Sequence, residues 1–181
     1  ALVAVGTSWL IGNRPTHVLC KDCNIVFISI DTLGAKHTSV YDPSLDTTPH
    51  LKALAEARGI VFDHAYSASS WTLPAHTALF TGRYPWEFNV WEANDRLPDS
   101  ATTLFEALKN EGYATAGFAT GSFVEQFHNM VQGIDEFHYK REESDWNDLP
   151  ELFVAGAKWL REHQGKRPFV LFMRPFEVHD P

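Results

Sequence analysis

Two runs of consecutive apolar residues constrain the fold of this chain most strongly. Residues 24–30 (NIVFISI) and residues 168–173 (PFVLFM) are rich in β-branched and aromatic side chains and lack polar alternation. Strands of this kind are typical of parallel sheets, because both faces of such sheets are covered by other elements. The two runs therefore predict buried, parallel strands.

Predicted helices and further strands alternate between these two runs. Residues 60–66 and 113–119 also have the composition of strands. Helix starts are predicted at the caps Thr48, Thr72 and Ser100, and at Pro150 or Glu151. This rhythm predicts an α/β fold, a mostly parallel sheet flanked by helices. The sequence stops just past the last strand, so we expect residues 24–181 to be the N-terminal portion of a longer domain.

The charge balance limits the partners of the chain. The sequence has 15 Lys and Arg against 23 Asp and Glu, a formal net charge of −8. A nucleic-acid-binding protein needs a basic face to neutralise phosphates, so the composition argues against that class. A small anionic substrate is still compatible with the charge, because a few local cations or a metal ion can reverse the field inside a pocket.

Residues 1–23 form a predicted lead-in to the first strand. Its apolar part is too short for a membrane span of about 20 residues, but it is compatible with the remnant of a signal or anchor segment. A buried strand or a disordered lead-in are the alternatives. We favour export, which predicts a periplasmic, extracellular or membrane-anchored protein. Cys20 and Cys23 supply only half of a zinc site, so a local disulfide or two unused thiols is favoured over metal or redox chemistry.

A candidate ester-cleaving centre lies near the start of the predicted Thr72 helix. The N-terminus of a helix attracts anions, and His76 falls on the same helical face as Thr72. Asp31 follows the first strand, at the carboxyl end where α/β sheets bind ligands, and is a candidate metal ligand. The alternative is that Thr72 only caps the helix, His76 only packs and Asp31 only forms a turn. Without further motifs, the structural alternative is favoured for Thr72 and His76.

Several short motifs occur together in one order along the chain. In combination they resemble the N-terminal part of a sulfatase domain, of the alkaline-phosphatase superfamily, over residues 24–181. Each motif is weak alone, whereas their shared order and spacing are specific. The motifs are residues 24–33, 48–51, 71–76 with 81–82, 112–113, 134–137 and 178–181.

The resemblance implies a mechanism and a set of site residues. In this superfamily a metal-bound nucleophile attacks sulfur or phosphorus in line, while the metal and cations hold the oxyanion. Asp31 matches the first metal-ligand aspartate, and Thr72 matches the nucleophile, which is itself a metal ligand. His76 matches a cationic position that is Arg in typical sulfatases. His179 matches a histidine that contacts the ester group.

The chain departs from the typical sulfatase pattern at two of these positions and at Thr32. Thr72 replaces the Cys or Ser that typical sulfatases oxidise to formylglycine, and threonine cannot give that aldehyde. Thr32 replaces a second aspartate, which makes zinc or manganese at least as plausible as calcium for the divalent ion. His76 is expected to make the oxyanion contact sensitive to pH. The remaining metal ligands would fall beyond Pro181, so we expect this segment alone to be inactive.

Three functions are compatible with these residues. The first is a metal-dependent hydrolase of sulfuric or phosphoric esters, whose anionic substrate is a small molecule or is borne by a glycan or lipid. The second is a cell-envelope transferase of phosphoethanolamine or phosphoglycerol, which membrane association through a missing N-terminal segment would favour. The third is a non-catalytic sulfatase-like binding domain. We rank them in that order, and Thr72 favours phosphorus over sulfur chemistry.

Overall fold

The computed structural model describes residues 22–140, 148–176 and 178–179. The predicted lead-in therefore lies almost entirely outside the described residues. The chain divides into two compact units, of which the larger comprises Asn24–Asp31 and Tyr66–Pro181. We call this larger part the sheet unit. The smaller unit contains Thr32–Ala65.

The sheet unit confirms the predicted α/β architecture. Its described strands form one sheet in the order β1-β4-β2-β3, and every neighbouring pair is parallel. The helices lie between the strands along the chain, as parallel connections require. The elements of this unit are β1 Ile25–Ile28, α2 Thr72–Thr81, α3 Leu104–Asn110, β2 Ala114–Thr120, β3 Glu136–Lys140, α4 Asp148–His163 and β4 Phe169–Arg174, with short 3₁₀ turns at Pro85–Glu87 and Gln126–His128.

Strand β4 has a hydrophobic core on each of its faces, and all six of its residues are buried. Val170 and Phe172 point to one core, with side chains from α2 and α3. Leu171 and Met173 point to the other, with side chains from α4. Because alternate residues of a strand face opposite sides, one continuous apolar run fills both cores. The prediction of a buried parallel strand at this position is confirmed.

Strand β1 differs in part from its predicted environment. Its only partner among the described strands is β4, so it lies at one end of the sheet. Ile25 and Phe27 pack against the core on the α2 side. Val26 and Ile28 are 47% and 39% exposed, although the sequence predicts burial on both faces. The parallel pairing is as predicted, whereas the second face of β1 is not covered by described residues.

One strand prediction from the sequence was wrong, and one strand was not predicted. Residues 60–66 were predicted as a strand, but Ile60 makes only an isolated bridge and Phe62 is 50% exposed. An apolar composition does not make a segment a strand when no partner strand is available to form hydrogen bonds with it. Conversely, β3 was missed because its five residues alternate polar and aromatic side chains rather than forming an apolar run.

The smaller unit contains helix α1, Pro49–Arg58. Pro49 is its first residue, as predicted, but the Thr48 side chain does not cap it. Thr48 instead exchanges two hydrogen bonds of 2.9 Å with Ser39, which fixes the loop that enters the helix. Within the described ranges, neither unit has a helix that combines the length and apolarity needed to cross a bilayer.

Helix α3 begins with a capping box at Thr103, not at the predicted Ser100. The Thr103 hydroxyl accepts from the Glu106 backbone N–H at 3.1 Å, and the Glu106 carboxylate accepts from the Thr103 N–H at 2.9 Å. The same hydroxyl donates to the Gln132 carbonyl at 2.8 Å. This reciprocal arrangement satisfies two groups that the helix leaves unpaired, which Ser100 could not do from three residues upstream.

We expect Thr103→Ala to lower the free energy of unfolding by about 1–2 kcal/mol, since it removes a cap and the donor to the half-buried Gln132 carbonyl. Urea unfolding measures this loss. Thr102→Ala, at the exposed neighbouring position, is the matched control. Equal stabilities of the two variants would contradict the role of the box.

Candidate active site

Three strands of the sheet unit place polar residues at the same edge of the sheet. Asp31 follows β1, Thr120 ends β2 and Arg174 ends β4. The strands are parallel, so their carboxyl ends lie together. This edge is where open α/β sheets bind ligands. We call Asp31, Thr72, His76 and Arg174 the strand-end cluster, because the two helix residues join this edge.

Thr72 reaches the cluster from the start of α2. It is the first helical residue, and Trp71 rather than Thr72 occupies the N-cap position, which corrects the prediction. The Thr72 hydroxyl donates to Asp31 Oδ2 at 3.3 Å. Because the hydroxyl does not cap the helix, it can interact with a group outside the helix. The structure thus brings the predicted nucleophile and the predicted metal ligand together.

His76 connects α2 to the end of β1 and is only 5% exposed. Its Nδ1 lies 2.9 Å from the Thr72 carbonyl, and its Nε2 lies 3.1 Å from the Ser29 hydroxyl. A carbonyl can only accept, so Nδ1 carries the proton and Nε2 accepts from Ser29. His76 therefore supports the backbone of Thr72.

The electrostatics of His76 differ from the prediction. Burial, followed by the positive charge of Arg174, lowers the pKa of His76 from 6.5 to about 4. The imidazole is therefore neutral near pH 7, and it does not supply the positive charge predicted at this position. Desolvation disfavours the charged form of a base, and sequence alone does not reveal burial.

Arg174 supplies a positive charge that the sequence analysis missed. Its side chain is fully buried, and Nη2 donates to Asp31 Oδ2 in an ion pair. Nη1 donates to the Thr120 carbonyl at 2.5 Å, and the guanidinium carbon lies 5.3 Å from the centre of the Phe176 ring. Burial lowers the pKa of Arg174, whereas Asp31 raises it. The sequence feature that could have identified Arg174 is its position directly after the apolar run that ends at Met173.

His179 is linked to the same edge through Phe176. The two rings are stacked with centroids 4.4 Å apart, and the His179 N–H donates to the Phe176 carbonyl at 2.8 Å. The Phe176 N–H in turn donates to the Thr120 hydroxyl at 3.0 Å. This places His179 near the carboxyl end of β4, while its contact with an ester group stays a prediction.

The oxygens of Asp31 and Thr72 fit part of a metal site. Two oxygen ligands of one cation at about 2.0–2.2 Å lie roughly 3 Å apart, and the Asp31 and Thr72 oxygens are 3.3 Å apart. A carboxylate and a hydroxyl are also suitable donors for a hard or borderline divalent ion. Within the part of the chain that the structure describes, no cluster of three or more His, Cys, Asp or Glu residues could hold a metal. These two oxygens would therefore be a partial ligand set.

Comparison with known proteins gives matches along most of the chain. A family model described as Sulfatase matches residues 23–181. An N-acetylgalactosamine-6-O-sulfatase of Bacteroides thetaiotaomicron is 35% identical over 97 residues, which are 51% of this chain and 19% of that protein. The N-acetylgalactosamine-6-sulfatase of Homo sapiens is 31% identical over 129 residues, or 63% of this chain and 24% of that protein. The chain thus spans about a quarter or less of these relatives.

A solved structure supports the same fold. The phosphonate monoester hydrolase of Agrobacterium radiobacter matches with a TM-score of 0.72 and 17% identity, over 88% of this chain and 42% of that chain. At this identity the likeness concerns the fold alone. The predicted alkaline-phosphatase-like architecture is confirmed, and the chain corresponds to part of the matched domain.

The lowered pKa of His76 predicts a specific loss of stability in acid. The unfolded chain binds a proton at the ordinary pKa of 6.5, whereas the folded protein binds it only near pH 4. The stability contributed by neutral His76 is complete above pH 6.5 and is lost as the pH falls to about 4. The shift of the pKa from 6.5 to about 4 corresponds to a loss of about 3 kcal/mol in the free energy of unfolding, measured with a chelator present to remove metal ions.

Denaturant unfolding from pH 7 to pH 4, compared between wild type and His76→Gln, measures this effect. The stability of the wild type should fall relative to the variant across this window. His50→Gln, at an exposed position, should follow the wild type. Parallel curves for wild type and His76→Gln would show that His76 does not resist protonation.

Proposed function

The chain belongs to the sulfatase family, and from this premise we propose that it forms the nucleophile-bearing part of a hydrolase of sulfuric or phosphoric esters. The main support for the proposal is the hydrogen bond from the Thr72 hydroxyl to Asp31. Thr72 makes this bond from the first residue of α2. A side chain at this position presents its oxygen beside the helix N-terminus, where an anionic ester would be held.

Thr72 acts in this proposal as the direct nucleophile. Its Oγ1 proton is directed at Asp31 Oδ2, so a lone pair of Oγ1 is available for attack on sulfur or phosphorus. In-line attack forms a bond from Oγ1 to the central atom and breaks the bond to the leaving alcohol, which takes a proton. Water then cleaves the Thr72 ester. His76 holds the Thr72 carbonyl, which keeps this first turn in place.

The start of α2 provides donors for the oxyanion. The first N–H groups of a helix have no partner within the helix. That of Thr72, which is half-buried, is available to an anion, whereas Leu73 is fully buried in the core. Pro74 lacks such a donor. The helix dipole adds partial positive charge at the same place. These groups do not need to reorganise as negative charge develops, which is the basis of oxyanion stabilisation.

The residues that would hold a metal ion are Asp31 and Thr72, completed by ligands from outside the described residues. A divalent ion bound there would lower the pKa of the nucleophile and neutralise charge on the ester oxygens. Calcium, zinc and manganese are the candidate ions, since each binds oxygen ligands and the two oxygens of this chain do not select among them.

The proposed substrate is an anionic ester carried by a glycan. The relatives from Bacteroides thetaiotaomicron and Homo sapiens are named for the 6-sulfate of N-acetylgalactosamine. Threonine favours a phosphoric ester, because it cannot give the formylglycine aldehyde that typical sulfatases form at this position. The phosphonate monoester hydrolase indicates that this fold also accommodates phosphorus chemistry.

We expect Thr72→Val to lower kcat by about three orders of magnitude or more, because it removes the nucleophile and preserves the side-chain shape. The test uses the full protein with Zn²⁺ or Mn²⁺, and paired aryl sulfates and aryl phosphate mono- and diesters. Thr81→Ala, at the other end of the same helix, should keep wild-type rates.

Each outcome of this assay has a distinct meaning. Phosphate turnover that depends on Thr72 supports direct attack and the preference for phosphorus. Preferred sulfate turnover overturns that preference. If neither ester reacts and Thr72→Val binds a sulfated glycan as wild type does, the chain is a binding domain and the proposed hydrolase is wrong.

A further inference from the structure

Arg174 occupies a position that connects three strands. It ends β4, forms an ion pair with Asp31 after β1, and donates to the carbonyl of Thr120 at the end of β2. Its side chain has no solvent exposure, and that of Asp31 is 11% exposed. A guanidinium so placed cannot exchange its anionic partner for water without movement of the chain. The ion pair is therefore a buried interaction of the site, with little competition from water.

One carboxylate oxygen, Asp31 Oδ2, has two hydrogen-bond donors in the strand-end cluster. Asp31 Oδ2 accepts from Arg174 Nη2 and also from the Thr72 hydroxyl. A divalent cation that bound Asp31 and Thr72 together would lie beside the buried positive charge of Arg174. Like charges repel more strongly in a buried site than in water, because screening is weaker there. Arg174 and the metal thus compete for one oxygen.

Arg174 has contacts that persist if it gives up Asp31. The Thr120 carbonyl accepts from Nη1, and the Phe176 ring lies under the guanidinium. Its Nε has no hydrogen-bond partner among the described residues. Besides the carboxylate of Asp31, which a metal would take, the guanidinium therefore has the Thr120 carbonyl, the Phe176 ring and the more distant negative charge of Glu125.

We propose that Arg174 is the resident cation of this site, which holds Asp31 toward Thr72 in the metal-free protein and lowers the affinity of the two oxygens for a divalent metal. This inference rests on the proposed function, since it assumes that Asp31 and Thr72 are ligands. Arg174 is a positioning residue in this role, because it acts through Asp31.

The test compares two variants of the full protein, Arg174→Gln and Arg174→Lys. Glutamine removes the charge but keeps an N–H donor, whereas lysine keeps the charge. Mn²⁺ binding is measured from the electron paramagnetic resonance signal of free Mn²⁺ at pH 8. We expect Arg174→Gln to bind Mn²⁺ about tenfold more tightly than wild type, and Arg174→Lys to bind within about threefold of wild type.

Thermal unfolding of the same proteins provides a second readout. In EDTA, Arg174→Gln should have a lower Tm than wild type, because Asp31 loses its charged partner. Mn²⁺ should raise the Tm of Arg174→Gln more than that of wild type. The difference within each protein separates metal binding from a general loss of stability.

The failures of the inference and of the proposed function can be told apart. Equal Mn²⁺ affinities of wild type and Arg174→Gln overturn the role of Arg174 alone. Weaker binding by Arg174→Gln also overturns it, since Arg174 would then assist the metal. Absence of binding by every protein at millimolar Mn²⁺ overturns both the inference and the metal requirement. If Arg174→Gln stays unfolded in excess Mn²⁺, the inference is also overturned, because Arg174 would then be needed for folding and not for setting metal affinity.

Discussion

The buried ion pair between Arg174 and Asp31 is the interaction on which the arrangement of the site depends. A guanidinium without solvent exposure needs an anionic partner, because an unpaired charge in the interior is strongly destabilising. The carboxylate is thereby fixed at the end of β1, and Thr72 is oriented toward it. Replacing Asp31 would therefore affect stability as well as chemistry, whereas replacing Thr72 removes no charge.

The parallel sheet explains why residues so distant in sequence meet at one edge. Asp31 and Arg174 each follow an apolar strand, and β1 and β4 pair in parallel. The apolar runs were recognisable from sequence because burial on both faces requires uninterrupted apolar residues. The same rule failed for residues 60–66, which have the composition but no ladder, and for β3, whose aromatic residues alternate with polar ones.

The proposed nucleophile Thr72 and the candidate metal ligand Asp31 could be predicted from the sequence, whereas the positive charge paired with Asp31 was not predicted. Asp31 was identified as the polar residue that follows a strand, and the same criterion applied to the second apolar run would have found Arg174. The neutral state of His76 was not predictable in this way. Its pKa depends on burial beneath Phe80 and Phe172 and on Arg174, all of which are consequences of the fold.

The positive charge of the site therefore comes from Arg174 and not from residue 76, where the resemblance to sulfatases predicts it. Typical sulfatases carry Arg four residues after the nucleophile, on the helix, where this chain has a neutral His76. Arg174 brings one cation to the site from the end of β4 instead. Arg174 therefore belongs to a strand that is paired on both sides, whereas His76 lies on the second turn of α2.

The entry into α2 decides whether the Thr72 hydroxyl is available for chemistry. Trp71 is extended, with φ −143° and ψ 166°, and packs edge-to-face on Phe123 with centroids 5.3 Å apart. Trp71 therefore takes the N-cap position, and Thr72 becomes the first helical residue. Had the helix begun one residue later, the hydroxyl would have been used to cap a backbone N–H. The packing of Trp71 on Phe123 leaves the hydroxyl free to face Asp31.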